Sequence, residues 1–196
     1  MVIEPLPASA LVLLGLTAMA ANGTPMRDVL GGFAEPSVWL VIIAMLIARS
    51  MLVSGLARRI ALLFIRAFGR SSLGVSYALL ATDVTLASGV PSITARSAGM
   101  IMPVAVRIAE LFDSQPGPSS RRIGAFLVAS LYQGSAVACA MFFTGQASNL
   151  LGASLAARLV NVQVTWSSWF VAAIVPGLAS CAVVPWIAFR MLKPEI

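Results

Sequence analysis

The chain is 196 residues long, and 59% of them are apolar while only 10% are charged. A soluble domain carries about 25% charged residues, so this composition excludes the soluble classes and indicates an integral membrane protein. The net charge of +6 comes from arginines at the ends of apolar segments, which is a topology signal and argues against nucleic-acid binding. Because the sequence has no histidine, the usual general base is missing and we predict that the chain is not an enzyme.

The first apolar segment covers residues 5–21 and is short for a membrane helix. Its Ala18-Met19-Ala20 resembles a signal-peptidase site, but the segment has no Lys or Arg at its start. We therefore predict a retained membrane helix, with a cleaved signal as the alternative. After a polar, glycine-rich joint, residues 37–57 form an apolar run that is long enough to span the membrane and is interrupted by Arg49.

Residues 58–70 predict a helix that lies on the membrane surface. Ile60, Leu63, Phe64 and Ala67 recur at helical spacing, and the arginines of this segment fall elsewhere on the helix. The arginines favour the cytoplasmic face.

Two apolar arms, residues 73–86 and 98–112, flank a polar turn that contains Pro91-Ser92-Ile93-Thr94-Ala95-Arg96. Each arm is shorter than the roughly 20 residues that a spanning helix needs. Since arginines lie on both flanks, the positive-inside rule places both flanks on one side of the membrane. We predict a re-entrant hairpin whose tip, residues 88–96, lies deep in the membrane. Irregular backbone at that depth is tolerated only beside protein or a water-filled cavity, so the tip is a candidate binding site.

A second irregular stretch, residues 144–149, interrupts an apolar run at residues 123–160 and predicts one helix that is unwound in its middle. The last span, residues 166–189, has two tryptophans at its predicted outer end, and Trp186 and Arg190 at its inner end. The fold class is therefore an all-α integral membrane protein with about four transmembrane helices, one re-entrant hairpin and one unwound helix. Both termini are predicted to be cytoplasmic.

The run from Asp83 to Arg96 resembles the first hairpin of the divalent anion–sodium symporter family, which includes plastid 2-oxoglutarate/malate translocators and bacterial dicarboxylate and citrate carriers. The family signature at this tip is Ser-Asn-Thr, often within Pro-Ser-Asn-Thr-Ala-Arg. This chain has Ile93 in place of the Asn, and it has Ser148-Asn149-Leu150 where related carriers usually have Asn-Pro. Further similarity lies at Glu35–Trp39, Gly55–Gly69, Arg121–Phe126, Ala140–Phe142 and Trp166.

Carriers of this family have two inverted repeats, and only the first is present in these 196 residues. The resemblance implies secondary-active transport of a di- or tricarboxylate such as 2-oxoglutarate, malate or citrate, by cation coupling or exchange, as a partial or truncated carrier. The alternative is a non-transporting remnant or accessory membrane subunit of such a carrier. The implied partners are the bilayer of a bacterial inner membrane and a second half-carrier chain or a homodimer, with no nucleic acid.

The resemblance also implies a division of the chain and a set of site residues. Residues 1–72 would form scaffold helices together with the surface helix. Residues 73–165 would form a transport-type segment, which contains the hairpin 73–112 and the broken helix 123–160. Residues 166–196 would form the last transmembrane helix. The implied substrate-binding residues are Ser92, Ile93, Thr94, Arg96, Ser148 and Asn149. Coupling Na⁺ would be held mainly by backbone carbonyls of Ser88, Ser92, Ile93 and Gly145.

Several of these residues have a structural reading beside the functional one. The serines and threonines of the tip could bond only within the hairpin. Arg96 could bind an anion or tie the hairpin to the scaffold, and Asp83 is expected to be a structural acceptor rather than a proton carrier. Arg49 could pair with Asp83 or an interior carbonyl, extend toward the interface, or support packing.

Overall fold

The computed structural model describes residues 7–195, with side chains at all of these except positions 36, 37, 40 and 44. Residues 5 and 6 of the first predicted segment lie outside this range. The described residues are helical and contain no β-strand, which confirms the all-α fold class. The elements in chain order are α1 (Ala8–Ala21), α2 (Met26–Val29), a 3₁₀ helix (Gly31–Ala34), α3 (Pro36–Val53), α4 (Leu56–Phe68), α5 (Ser72–Ala87), a π-helix (Thr94–Ile101), α6 (Met102–Leu111), α7 (Gly124–Met141), α8 (Ala147–Val160) and α9 (Trp166–Leu192).

The chain divides into two compact units, the first ending at Ile42 and the second beginning at Ile43. In the first unit, α1 is apolar on every face and buries none of its residues, as a lipid-facing helix does. Trp39 Nε1 donates to Phe33 O over 2.8 Å and fixes the entry into α3. The predicted division of the chain after residues 72 and 165 separates segments by function. The two compact units do not test that division, so it stays a prediction.

The second unit is built around α5 and α7, which pack against each other and against α9, while α4 packs on α5 and α6 on α7. Where α5 meets α7, Gly134 leaves room for the Leu80 side chain, because a Cβ there would lie 2.6 Å from Leu80 Cδ1. The core of this unit includes several large apolar side chains that are at most 2% exposed, namely Leu79, Leu86, Ile101, Phe126, Leu127 and Leu131.

Among the described residues, α7 and α9 are long and apolar enough to cross a membrane, and α3 with α4 would make a third crossing if that bent pair is one span. Two shorter apolar helices, α1 and α5, lie below that length, so the count of about four spans stays a prediction. The apolar run predicted at residues 37–57 ends early because Gly55 adopts a left-handed conformation (φ 68°), which stops α3 and starts α4 at an angle of 64°. Helix α4 carries its arginines and apolar residues on different faces, as predicted for residues 58–70.

Helix α9 is tied to its neighbours by two long-range hydrogen bonds. Tyr77 Oη on α5 donates to Ala182 O over 2.5 Å, and Trp169 Nε1 donates to Ala140 O on α7 over 2.9 Å. Between these points α9 crosses Met141 at Gly177, where an added Cβ would collide with the Met141 Cγ atom. A small residue at this crossing lets the two helices approach closely.

We predict that Gly177→Val lowers the free energy of unfolding by about 1–3 kcal/mol, because the new side chain overpacks the crossing of α9 with Met141. The measurement is denaturant unfolding of the purified chain in detergent, followed by tryptophan fluorescence. Gly152→Val on α8 is the matched control, since nothing lies within 4 Å of an added Cβ there. Equal losses in the two variants would contradict the assigned packing.

Candidate functional site

The hairpin tip is shorter than predicted. Helix α5 ends at Ala87, and the chain resumes helical structure at Thr94, four residues before the predicted second arm. The early start follows from Ser92, whose Oγ accepts a hydrogen bond from Ala95 N over 3.2 Å and so satisfies one of the free donors of the first turn. Entry and exit of this hairpin by one face of a membrane stays a prediction.

Arg96 is the centre of the hairpin, and its side chain is 0% exposed. Its Nε donates to Asp83 Oδ1 over 2.7 Å, and its Nη1 donates to Val90 O over 2.8 Å and to Gly145 O over 2.9 Å. One guanidinium therefore connects the outgoing arm, the tip and the loop between α7 and α8. Arg96 lies in the π-helix, an element that is often found at functional sites.

The charge of Arg96 is balanced inside the protein. Asp83 is also 0% exposed, and a buried charge is stable only when it is paired and hydrogen-bonded. Of the two roles open for Arg96, the structure shows the tie between elements. The guanidinium has no exposed surface and its Nη2 has no hydrogen-bond partner within residues 7–195, so anion binding by Arg96 stays a prediction. Asp83 is the structural acceptor that the sequence favours, and its partner is Arg96 rather than Arg49.

The loop between α7 and α8 covers residues 142–146, inside the predicted broken helix. Asn149 stabilises it, because its Nδ2 donates to Cys139 O over 2.9 Å and to Phe142 O over 3.0 Å, at the end of α7. These carbonyls belong to the last turn of a helix, which has no intrahelical donors for them. Gly145 is required at its position, since a Cβ there would collide with Cys139 O.

The hairpin tip and this loop are in contact. Thr144 Oγ1 donates to Ser88 O over 2.9 Å, and Arg96 reaches Gly145 O from the other side. Thr144 was not among the predicted site residues. Its polar character inside an apolar run was visible in the sequence, but a partner 56 positions away was not.

The predicted substrate-binding residues fall into three groups by burial. Arg96 and Asn149 are buried and use their side chains to hold the backbone in place. Thr94 and Ser148 are exposed, and neither hydroxyl has a hydrogen-bond partner within residues 7–195. Ser92 and Ile93 are partly buried between these two groups.

Arg49 of α3 lies beside the tip. With Pro91, Ser92 and Ala95 it lines a small cavity of about 190 Å³, and its side chain is exposed. In the described part of the chain Arg49 has no ion-pair or hydrogen-bond partner, so its positive charge is available on this side of the tip.

The predicted Na⁺ ligands fit only in part. Residues 7–195 contain no group of three or more His, Cys, Asp or Glu that could hold a metal ion, so a cation would depend on backbone oxygens. The carbonyls of Ser88 and Ser92 each accept one protein hydrogen bond and keep a second lone pair. Gly145 O does not fit, because a guanidinium nitrogen 2.9 Å away would repel a cation bound there.

Comparison with known proteins identifies the family. Residues 1–196 match the family described as "Sodium:sulfate symporter transmembrane region". The chain belongs to this family. It is 41% identical over 195 residues to "Putative malate transporter YflS" of Bacillus subtilis (strain 168), an alignment that covers 98% of this chain and 41% of the relative.

Two further relatives give the same picture. The citrate/succinate antiporter of Escherichia coli (strain K12) is 33% identical over 216 residues, covering 100% of this chain and 44% of the antiporter. "Dicarboxylate transporter 1, chloroplastic" of Arabidopsis thaliana is 35% identical over 195 residues, covering 98% of this chain and 35% of the relative. The chain thus spans less than half the length of these relatives.

Family membership confirms the resemblance that the tip motif indicated, and it confirms an integral membrane protein. The relatives are named as transporters or an antiporter, and this confirms the prediction that the chain is not an enzyme.

We predict that Arg96→Gln and Asp83→Asn each lower the free energy of unfolding by about 3–5 kcal/mol, since each leaves one buried charge unpaired. The double variant should lose less than the sum, because it leaves no charge behind. The measurement is a double-mutant cycle on denaturant unfolding in detergent.

The control cycle uses Arg107→Gln and Glu110→Gln, an ion pair of the same 2.7 Å length on an exposed surface. Its coupling should be below about 1 kcal/mol. Additive losses at positions 83 and 96 would show that the buried pair is not energetically coupled.

Proposed function

We propose that this chain forms one half of the substrate site of a secondary carrier for di- or tricarboxylate anions. The observation that carries the proposal is the junction of the hairpin tip with the loop after α7, held by Arg96, beside which Thr94 and Ser148 keep free hydroxyls. A carrier needs irregular backbone fixed against a rigid frame with a few polar groups open to the ligand. The names of the relatives supply the class of anion.

Two helix N-termini support anion binding at this junction. The returning arm of the hairpin begins at Thr94, and α8 begins at Ala147 with no side chain that caps its free N–H groups. Helix N-termini carry partial positive charge and offer backbone donors to a carboxylate. Arg49, beside Ser92, adds a full positive charge on the same side of the tip.

The site residues act differently in this proposal. Thr94 and Ser148 donate hydroxyl hydrogen bonds to a carboxylate, Ser92 and Ile93 shape the tip, and the buried Arg96 and Asn149 are positioning residues. The second half of the site comes from another copy, a second half-carrier chain, or the remainder of a longer protein.

Coupling to Na⁺ or exchange against a second anion is part of the proposal. The Ser88, Ser92 and Ile93 carbonyls would hold the cation, whose charge would offset part of the charge of the anion. We place the carrier in a bacterial inner membrane with both termini in the cytoplasm, because the arginines flank the predicted cytoplasmic ends of the helices.

Binding of labelled malate, succinate and citrate to the purified chain tests the proposal, with uptake into proteoliposomes as the second readout. We expect Thr94→Val to weaken binding about 10- to 100-fold, the value of one hydrogen bond to a charged group. Thr85→Val on α5 is the matched control, because Thr85 is exposed but donates to Ala81 O of its own helix. Absence of binding for all three anions would refute the carrier half-site, and binding without uptake would identify a non-transporting subunit.

The departure at position 93 gives a gain-of-function prediction. Ile93 offers no side-chain hydrogen bond, so Ile93→Asn should strengthen anion binding about 10- to 100-fold by adding an amide donor at the tip. Ile93→Leu is the control, since it conserves volume and adds no polar group. Unchanged or weaker binding in Ile93→Asn would contradict the assignment of the tip to the substrate.

A further inference from the structure

A cavity of about 780 Å³ lies between the end of α3, helix α4 and the returning arm of the hairpin. None of the residues assigned to the tip or to the loop after α7 lines it. Its walls are mostly apolar and include Leu52, Leu62, Ile65, Met100, Val104 and Leu111. The volume lies within the range of about 300–1,000 Å³ that is typical of small-molecule pockets.

Two arginines, Arg58 of α4 and Arg107 of α6, are the charged residues of the cavity lining. Arg58 is exposed and has no ion-pair or hydrogen-bond partner in the described part of the chain. Arg107 pairs with Glu110 over 2.7 Å, but both side chains are exposed, so this pair is weak and Arg107 can engage another anion. The cavity therefore combines apolar walls with a cationic edge, which is the complement of an anionic amphiphile.

The two faces of α4 indicate where such a ligand would come from. This helix separates a basic face from an apolar face, the pattern of a helix that lies in the headgroup region of a bilayer. Anionic headgroups are attracted to arginines at that depth, and the planar guanidinium matches a phosphate geometrically. An acyl chain of the same lipid would lie along the apolar walls, where it replaces contact with water.

We propose that this cavity binds one anionic phospholipid, with its phosphate between Arg58 and Arg107 and an acyl chain along Leu62, Ile65 and Val104. The lipid joins the surface helix α4 to the returning arm of the hairpin.

A second copy of this chain fits the cavity less well, because carboxylates are scarce. Asp83 pairs with Arg96, Glu110 with Arg107 and Asp113 with Arg122, out of seven acidic residues in the whole sequence.

The test measures lipid binding by native mass spectrometry and thermal unfolding of the purified chain in detergent. The probes are phosphatidylglycerol and phosphatidylcholine with identical acyl chains. We expect a one-to-one phosphatidylglycerol adduct and a larger rise in the unfolding midpoint with this lipid than with phosphatidylcholine. Equal retention of the two lipids would overturn the proposal.

The charge variants separate a specific site from general attraction to a basic surface. Arg58→Gln with Arg107→Gln should weaken phosphatidylglycerol binding at least about 10-fold, since both guanidinium groups line the cavity and would bond the phosphate directly. Arg59→Gln with Arg66→Gln changes the net charge equally at two α4 residues that do not line the cavity, and should leave binding unchanged. Equal losses in the two double variants would overturn the site.

A wall variant covers the case in which the charge variants fold poorly. Leu62→Trp fills the cavity and should abolish the lipid adduct, while Leu63→Trp, its exposed neighbour outside the lining, should retain it. Retention of the adduct in Leu62→Trp would overturn the proposal. So would efficient disulfide crosslinking between two copies of a Leu62→Cys variant, because a second chain would then occupy the cavity.

Discussion

The candidate site depends on the ion pair between Arg96 and Asp83, both of which are fully buried. Their charges are stable in this interior only as a pair, so the two arms of the hairpin are held together wherever the tip lies. The same guanidinium donates to Gly145 O and thereby fixes the loop after α7 against the tip. Separating any of these elements would leave a buried charge or a buried carbonyl without its partner.

Because of this constraint, some polar residues of the site hold the backbone in place, and others remain open to a ligand. Arg96 and Asn149 look like ligands for an anion in the sequence, but both side chains are buried. Arg96 Nη1 and Asn149 Nδ2 donate to backbone carbonyls, Arg96 Nε donates to Asp83, and Arg96 Nη2 has no hydrogen-bond partner within residues 7–195. Because Arg96 and Asn149 hold the backbone in place, Thr94 and Ser148 lie on ordered backbone and their exposed hydroxyls keep free donors. A site arranged in this way loses little conformational entropy when a ligand binds, because its frame is already ordered.

Several polar groups lie on the exposed side of this junction. The hydroxyls of Thr94 and Ser148, two helix N-termini and the Arg49 side chain are open there. Lipid would be a poor neighbour for such groups, since each unsatisfied donor in hydrocarbon is costly. In the proposed carrier, a facing half of the site covers this surface.

The sequence by itself determined the membrane class and most of the helical elements, and it indicated a candidate site. The composition indicated a membrane protein, and the short apolar arms around Pro91–Arg96 predicted the hairpin. The polar stretch at residues 144–149 predicted the break in the later helix. These are local signals, because apolar length and helix-breaking residues act on their own segment. The family motif added the class of function.

Only the tertiary structure decided which polar residues face each other. Asp83 could have paired with Arg49 or Arg96, and the choice depends on how the hairpin folds back. The bonds from Thr144 to Ser88 and from Arg96 to Gly145 join positions 56 and 49 residues apart. No pattern of spacing encodes such contacts, because they follow from the packing of α5 against α7 and from the room that Gly134 and Gly145 leave for neighbouring atoms.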